Sequence, residues 1–202
     1  MAGAGKGKGD QNEGRTKMNV KRLAAGGLLL AMGILVPQAF HFTGVPASGA
    51  VFLPMHIPVL IAGFLLGPLY GLIIGMLSPI ISTMTTGMPA IARLPFMIGE
   101  LATYGAISGL LFEQLGLYKR RFGIYISLLG AMLVGRIVYG LMIVGAIYLF
   151  GVKGLSIGMV GTAIITGIPG IVIQVVCIPV LIMALKKGGV LSDIIRQGKK
   201  AS

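Results

Sequence analysis

LPMHIPVLIAGFLLGPLYGLIIGMLSPIIS, residues 53–82, decides the fold: it is a long apolar run without one Asp, Glu, Lys or Arg. Pro58 is well placed at a helix start, and Gly67-Pro68 is a stop followed at once by a new start, so two helices abut at this corner. The first is predicted to be short. At 1.5 Å per residue its roughly ten residues rise ~15 Å, about half of a ~30 Å hydrocarbon core. Such a segment tilts into the preceding loop or lies partly reentrant, buried by its neighbours. The second runs over 68–86 and is long enough to cross.

Working outward, similar apolar runs cover 22–38, 91–114, 122–150 and 158–186, which with 57–67 and 68–86 makes six spans. With 55% hydrophobic residues in 202, the apolar surface is too large for water to be the solvent on all sides. The expected fold is therefore all-α: a polytopic membrane protein of six transmembrane helices. The segment from Ala39 to Met55, with Gly44, Pro46, Gly49 and Pro54, is not regular helix throughout and is expected to fold over the outer ends of the bundle, capping a ligand pocket. Residues 1–21 read as a disordered basic tail, 22–187 as the membrane domain and 188–202 as a second basic tail. A signal peptide is the rival reading of the first run, but Ala-x-Ala-like cleavage chemistry is not obvious near Gln38 to His41.

Charge placement orients the bundle. With the start of the chain inside, the inner segments hold Lys6, Lys8, Arg15, Lys17, Lys21, Arg22, Lys119, Arg120, Arg121, Lys186, Lys187, Arg196, Lys199 and Lys200, whereas the other side has only Arg93 and Lys153. This is the positive-inside bias, and it places both termini in the cytoplasm of a multi-pass cell-membrane protein. The net charge of +12 is thus explained by topology and anionic headgroups in the lipid bilayer, and not by nucleic acid, for which the basic residues form no continuous stripe.

Glycine accounts for 33 residues, many at four-residue spacing: Gly67, Gly71 and Gly75 share one face, Gly105 and Gly109 another, and Gly27 with Ala31 a third. Internal helix packing and docking of a second membrane protein are both open to such faces. The single cysteine, Cys177, excludes an internal disulfide framework and a cysteine-based metal site. The 12 methionines are adaptable packing material.

Few ionisable groups lie within the spans: Arg93 near the outer start of the fourth, Glu100 further in, and Arg136 near the middle of the fifth. Each is costly unless paired or facing a cavity. Arg93, Glu100 and Tyr104 fall on one helical face, which should point inward. Glu100 and Arg136 are expected to pair, either as a register-fixing bridge or with guanidinium charge in excess to hold an anionic solute. Gln174 can both donate and accept, as ligand orienter or as helix-to-helix bond. His41 and His56 lie near the outer boundary as interfacial or lid contacts, without metal-motif spacing.

Catalytic and motor chemistry are missing from the pattern. The start Gly3-Ala4-Gly5-Lys6-Gly7-Lys8 imitates a phosphate loop, but Ala2 stands where that loop needs Gly and Gly9 where it needs Ser or Thr. No Ser-His-Asp set or HExxH appears, and five acidic residues give little material for hydrolysis. No enzyme and no cofactor are expected, and uphill transport would need a partner.

LPMHIPVLIAGFLLGPLYGLIIGMLSPIIS (53–82), TGMP (86–89), ELATYGAISGLL (100–111), GRIVYG (135–140) and IPGIVIQVVCIPVLI (168–182) together resemble the substrate-binding S components of energy-coupling factor (ECF) vitamin importers, over residues ~20 to 187. The resemblance implies a six-helix bacterial membrane protein that binds a vitamin or its precursor at the outer side. It also implies a shared transmembrane coupling protein and two cytoplasmic ATPases as partners, and toppling in the bilayer to release the load. The family docks its coupling protein through an Ala-x-x-x-Ala motif on the first helix; the nearest match here is Gly27-x-x-x-Ala31, with Ala24 and Ala25 before it.

Low aromatic content argues against a stacked flavin, and two intramembrane arginines favour a small anionic vitamin, with pantothenate the leading expectation. Arg93, Arg136, Gln174, Glu100 and Tyr104, with Phe52 and His56 from the lid, are the expected ligand residues. The alternative is an autonomous ion-coupled secondary carrier for a small anionic solute, with Glu100 exchanging a proton.

Overall fold

The computed structural model describes residues 6–42, 48–120, 122–152 and 154–188, which form helices and no strand. Eight α-helices are arranged in chain order: α1 (Lys6–Phe42), α2 (Ser48–Phe52), α3 (His56–Leu66), α4 (Pro68–Thr86), α5 (Leu94–Gly109), α6 (Gly123–Tyr148), α7 (Gly158–Thr166) and α8 (Ile168–Lys187). A π-helical turn, Leu110–Gln114, continues α5, and a short 3₁₀ turn, Leu117–Lys119, precedes α6. Six segments are long and apolar enough to cross a bilayer: Val20–Ala39, Gly49–Leu66, Pro68–Thr86, Leu94–Gln114, Gly123–Tyr148 and Ile168–Lys187.

Two spans differ from the sequence reading. The second holds the short, buried helix that was expected, the 11-residue α3, and adds α2 before it; the break between them falls at Leu53, whose φ of 49° is a left-handed value rare for a branched side chain, next to Pro54, which has no N–H to continue the ladder. The sixth is shorter than 158–186, because Pro169 opens a new helix and leaves α7 as a separate piece. Helical backbone also begins at Lys6, inside the segment expected as a disordered tail. Residues 43–47 of the expected lid, Arg121, Lys153 and the tail from 189 onward lie outside the described residues.

α3 is the central helix, in contact with α1, α4, α5 and α8. After His56 its sequence, IPVLIAGFLL, is apolar all round, as a helix enclosed by others must be, and nine residues of the helix are buried. The outer helices instead show lipid-facing stripes: Leu28 and Leu35 on α1, Leu72 and Ile73 on α4, Leu133, Ile137 and Leu141 on α6, and Val172, Val176 and Val180 on α8 are exposed. Cys177 is exposed among the last group.

Lipid tails are as apolar as leucine, so helices here gain little from burying one another and rely on close packing and interhelical hydrogen bonds. Glycine supplies the first. Gly71 and Gly105 face each other so closely that a Cβ on either would strike the other's backbone, and Gly75 meets the Leu101 carbonyl in the same way. Gly63 of α3 rests on Gly105 and Ser108, while Gly109 rests on the Gly67-Pro68 corner. The Ser108 hydroxyl donates to the Gly105 carbonyl at 3.1 Å and reaches Leu60 at 3.4 Å, tying α5 to α3.

The inward face of α1 consists of Gly26, Leu29, Gly33 and Pro37. Gly27 is exposed and has nothing within 4 Å of where a Cβ would stand, so the Gly27/Ala31 face is not part of the internal packing.

One end of the bundle gathers the basic residues. The Arg22 guanidinium donates to the Leu66 carbonyl at 2.5 Å and sits 5.3 Å from the Tyr70 ring, and Lys186 reaches the Tyr118 carbonyl at 3.3 Å. The opposite end carries α2, the Gly87 to Arg93 loop, α7 and the start of α8. At this loop the Ser82 and Thr83 hydroxyls donate to the carbonyls of Met88 and Pro89, at 2.8 and 2.9 Å.

Candidate ligand-binding site

Five polar side chains are brought deep into the half of the bundle away from the basic end. His56 is the first residue of α3, Glu100 lies two turns into α5 and Tyr104 one turn further, Arg136 is near mid-α6, and Gln174 is two turns into α8. Glu100, Tyr104, His56 and Gln174 are buried, and the Arg136 side chain is 13% exposed.

Glu100 organises three of its neighbours through one oxygen. Arg136 Nη1 stands 2.9 Å from Glu100 Oε1, and the Tyr104 hydroxyl donates to the same oxygen at 3.0 Å. His56 Nε2 is 3.9 Å from it, too far for a hydrogen bond but within ion-pair reach, and the His56 ring lies 5.2 Å from the Tyr104 ring at 58°. The i, i+4 spacing of Glu100 and Tyr104 is what stacks carboxylate and phenol on one helical face.

Glycine again sets the geometry. A Cβ at Gly135 would collide with the Tyr104 ring, so the residue before Arg136 is the seat that lets the phenol reach Glu100. A Cβ at Gly167 would stand 3.1 Å from Arg136 Nη2 and 3.1 Å from Leu53 Cδ1, and one at Gly170 would come within 2.7 Å of the Phe52 carbonyl. The start of α8 is therefore pressed against both the guanidinium and the α2–α3 break.

Several of these groups keep hydrogen-bonding capacity unused by the protein. Arg136 Nε and Nη2, both ring nitrogens of His56, and both amide atoms of Gln174 are buried without a hydrogen-bond partner. In hydrocarbon surroundings an unmade hydrogen bond of this kind costs about 1–3 kcal/mol, more for a charged group. Nε and Nη2 form one edge of the guanidinium, the fork that fits both oxygens of a carboxylate. With Nη1 held by Glu100, that edge is the part of Arg136 left to recognise something else.

The structure thus brings together Glu100, Arg136, Tyr104 and His56. Gln174 shares their buried half, without a hydrogen bond to them. Phe52 contributes its backbone at the start of α8. Arg93 is different: it precedes α5, is exposed, and stands seven residues from Glu100, about 10 Å of helix rise. The inward stripe begins at Glu100 and not at Arg93, because a guanidinium at a helix start reaches water at little cost. The buried charge is correspondingly balanced as Glu100 with Arg136, and not a pair of arginines around one carboxylate.

Tyr139 was not foreseen. It stands one turn from Arg136, its ring meets Phe96 edge-on at 6.4 Å, and its phenol is within electrostatic reach of Glu100, Arg136 and Arg93. Its i, i+3 spacing from Arg136 was the available signal.

A bundle of six apolar spans, closed around buried polar groups with spare hydrogen bonds, defines a polytopic membrane protein. The chain belongs to the ECF transporter substrate-specific component family, whose model matches residues 21–182. It is a substrate-binding subunit of an ECF transporter, a multi-pass membrane protein with a small-molecule substrate and ECF module partners, in a family of transporter subunits and not enzymes. Neither curated proteins nor solved structures give a match.

Proposed function

We propose that this subunit captures a water-soluble carboxylate vitamin or precursor from the outer face of a bacterial cell membrane, with pantothenate as the ligand. Both termini lie in the cytoplasm, and a transmembrane coupling protein with two ATPases supplies the energy. The observation that carries the reading is the Nε/Nη2 edge of Arg136, buried, unpartnered and held in place by Glu100 through Nη1. A carboxylate on that edge satisfies two donors at once, and Gln174 is suited to an amide or hydroxyl elsewhere on the molecule. His56, Tyr104 and the backbone of Phe52 complete the surroundings, with Arg93 at the entrance as a steering charge for anions.

The basic residues of Arg22, Lys119, Arg120, Lys186 and Lys187 mark the cytoplasmic end. Docking to the coupling protein falls to the α1 face of Ala24, Gly27 and Ala31, which internal packing leaves open.

Titration of the full chain in lipid nanodiscs with pantothenate, followed by calorimetry, tests the ligand. Saturable binding of one molecule per chain is expected, with competition by other small carboxylates far weaker. Absence of binding overturns pantothenate, and mass spectrometry of what co-purifies then names its replacement.

A further inference from the structure

The Glu100–Arg136 pair is the inner rung of a short ladder of side chains between α5 and α6. α5 starts at the end of the bundle away from the basic residues and α6 finishes there, so the two packed helices run antiparallel. Each turn outward from the ion pair therefore sets a residue of α5 against one of α6. One turn out stand Phe96 and Tyr139, both half-buried, with their rings edge-on at 6.4 Å. A further turn out on α5 is Arg93, exposed at the helix start. Tyr139 thus lies between the buried charges and the exposed one, with Glu100, Arg136 and Arg93 all within its electrostatic reach.

The neighbouring hydroxyls spend their protons inside the protein. Tyr104 donates to Glu100, Thr103 to the Gly99 carbonyl, and Ser82 and Thr83 to the carbonyls of Met88 and Pro89. The Tyr139 hydroxyl makes no hydrogen bond with any described residue. A tyrosine ring packed inside a bundle ordinarily finds a partner for its O–H. Here the ring is held by Phe96 and the oxygen is idle.

We propose that the Tyr139 hydroxyl donates a hydrogen bond to the carboxylate held by the Nε/Nη2 edge of Arg136, and so makes the site prefer a carboxylate to a neutral group of the same shape. This rests on the carboxylate reading of the site. A carboxylate has about four lone-pair directions, and the guanidinium edge answers two of them with parallel N–H bonds. The others need donors once the ion has left water. Tyr139 is one turn, about 4.5 Å of helix rise, to the outer side of Arg136, which is the side of the Arg93 entrance. A hydrogen bond to an ionised acceptor is roughly twice as strong as one to a neutral group, so the same phenol rewards a carboxylate more than an alcohol or an amide.

The test is calorimetric titration of the full chain and of Tyr139→Phe in nanodiscs, with pantothenate and with the alcohol analogue in which CH₂OH replaces the carboxylate, beside thermal unfolding of both ligand-free proteins. Phenylalanine keeps the ring and its contact with Phe96 and loses only the hydroxyl. An unchanged Tm without ligand is expected. The Kd for pantothenate should rise about ten- to a hundredfold, the range of one hydrogen bond to a charged group, and the Kd for the alcohol much less. Where the alcohol binds too weakly to measure, the fall in pantothenate affinity at unchanged Tm decides. Equal pantothenate affinities overturn the inference alone, and would mark Tyr139 as a ring whose oxygen reaches only interfacial water. An equal fall for both ligands overturns it as well. A lowered Tm or failure of Tyr139→Phe to fold also overturns it, because the hydroxyl then serves the fold. No pantothenate binding by the unaltered chain overturns the ligand reading and this inference with it.

Discussion

α5 uses its two faces in opposite ways. On one, Leu101, Gly105 and Gly109 bring bare backbone against α4 and the Gly67-Pro68 corner; on the other, Glu100 and Tyr104 project charge and hydroxyl toward His56 and Arg136. Both devices fix helices in a solvent that rewards apolar burial very little. They differ in what they leave over. The glycine seam exhausts its contacts, since nothing further fits between two backbones. The charged cluster retains buried donors and acceptors, and the proposed ligand chemistry is placed on that face.

Substitutions on each face of α5 separate the two devices. Arg136→Ala has the largest expected effect, because it strands the Glu100 carboxylate in a buried place; a loss of about 3–5 kcal/mol of stability is expected, read from thermal or denaturant unfolding in detergent. Arg136→Ala with Glu100→Gln together should recover part of that loss while leaving ligand binding absent. Recovery of binding in the double variant would mean that Arg136 does not touch the ligand.

Tyr104→Phe removes a hydrogen bond to a charged acceptor, for about 1.5–3 kcal/mol of stability, without emptying the ring's seat at Gly135. On the other face, Gly71→Ala drives a methyl into the Gly105 backbone and should cost about 1–3 kcal/mol. The protein that survives should bind ligand with near-normal affinity, unlike any variant of Arg136. A large rise in Kd for Gly71→Ala would show that the two faces of α5 are coupled.

The smallest effect is expected at Gly27, where an added methyl meets nothing; Gly27→Ala should change stability by less than about 0.5 kcal/mol. Gly27→Leu should be equally harmless to the isolated subunit and should reduce co-purification of the coupling protein, if that face is its dock.

Much of the fold was legible because its signals are local. Apolar length gives the spans, Gly67-Pro68 gives the α3–α4 corner, and the four-residue glycine spacing gives the α4–α5 seam. The α2–α3 break was not legible, since Leu53 adopts its left-handed backbone for reasons of context, and Pro54 read equally well as part of a loop. Pro169 did announce a helix start, yet the apolar run from 158 onward hid the change.

In the site, the Glu100–Arg136 pairing followed from the scarcity of charge in the spans. The position of Arg93 did not, because helical phase says which face a residue is on and nothing of how near water its tip is. Gly135 and Gly167 look like any other glycines in the chain; only the positions of the Tyr104 ring and the Arg136 guanidinium reveal what they make room for.

The most direct test of the central claim is the dissociation constant for pantothenate of the unaltered chain and of Arg136→Lys, measured side by side in nanodiscs. Lysine keeps the charge opposite Glu100 but has no second edge to offer a carboxylate. Tight binding is expected of the first and a loss of at least about thirtyfold, or ~2 kcal/mol, in the second, with the folded state retained. Equal affinities in the two proteins would contradict that claim.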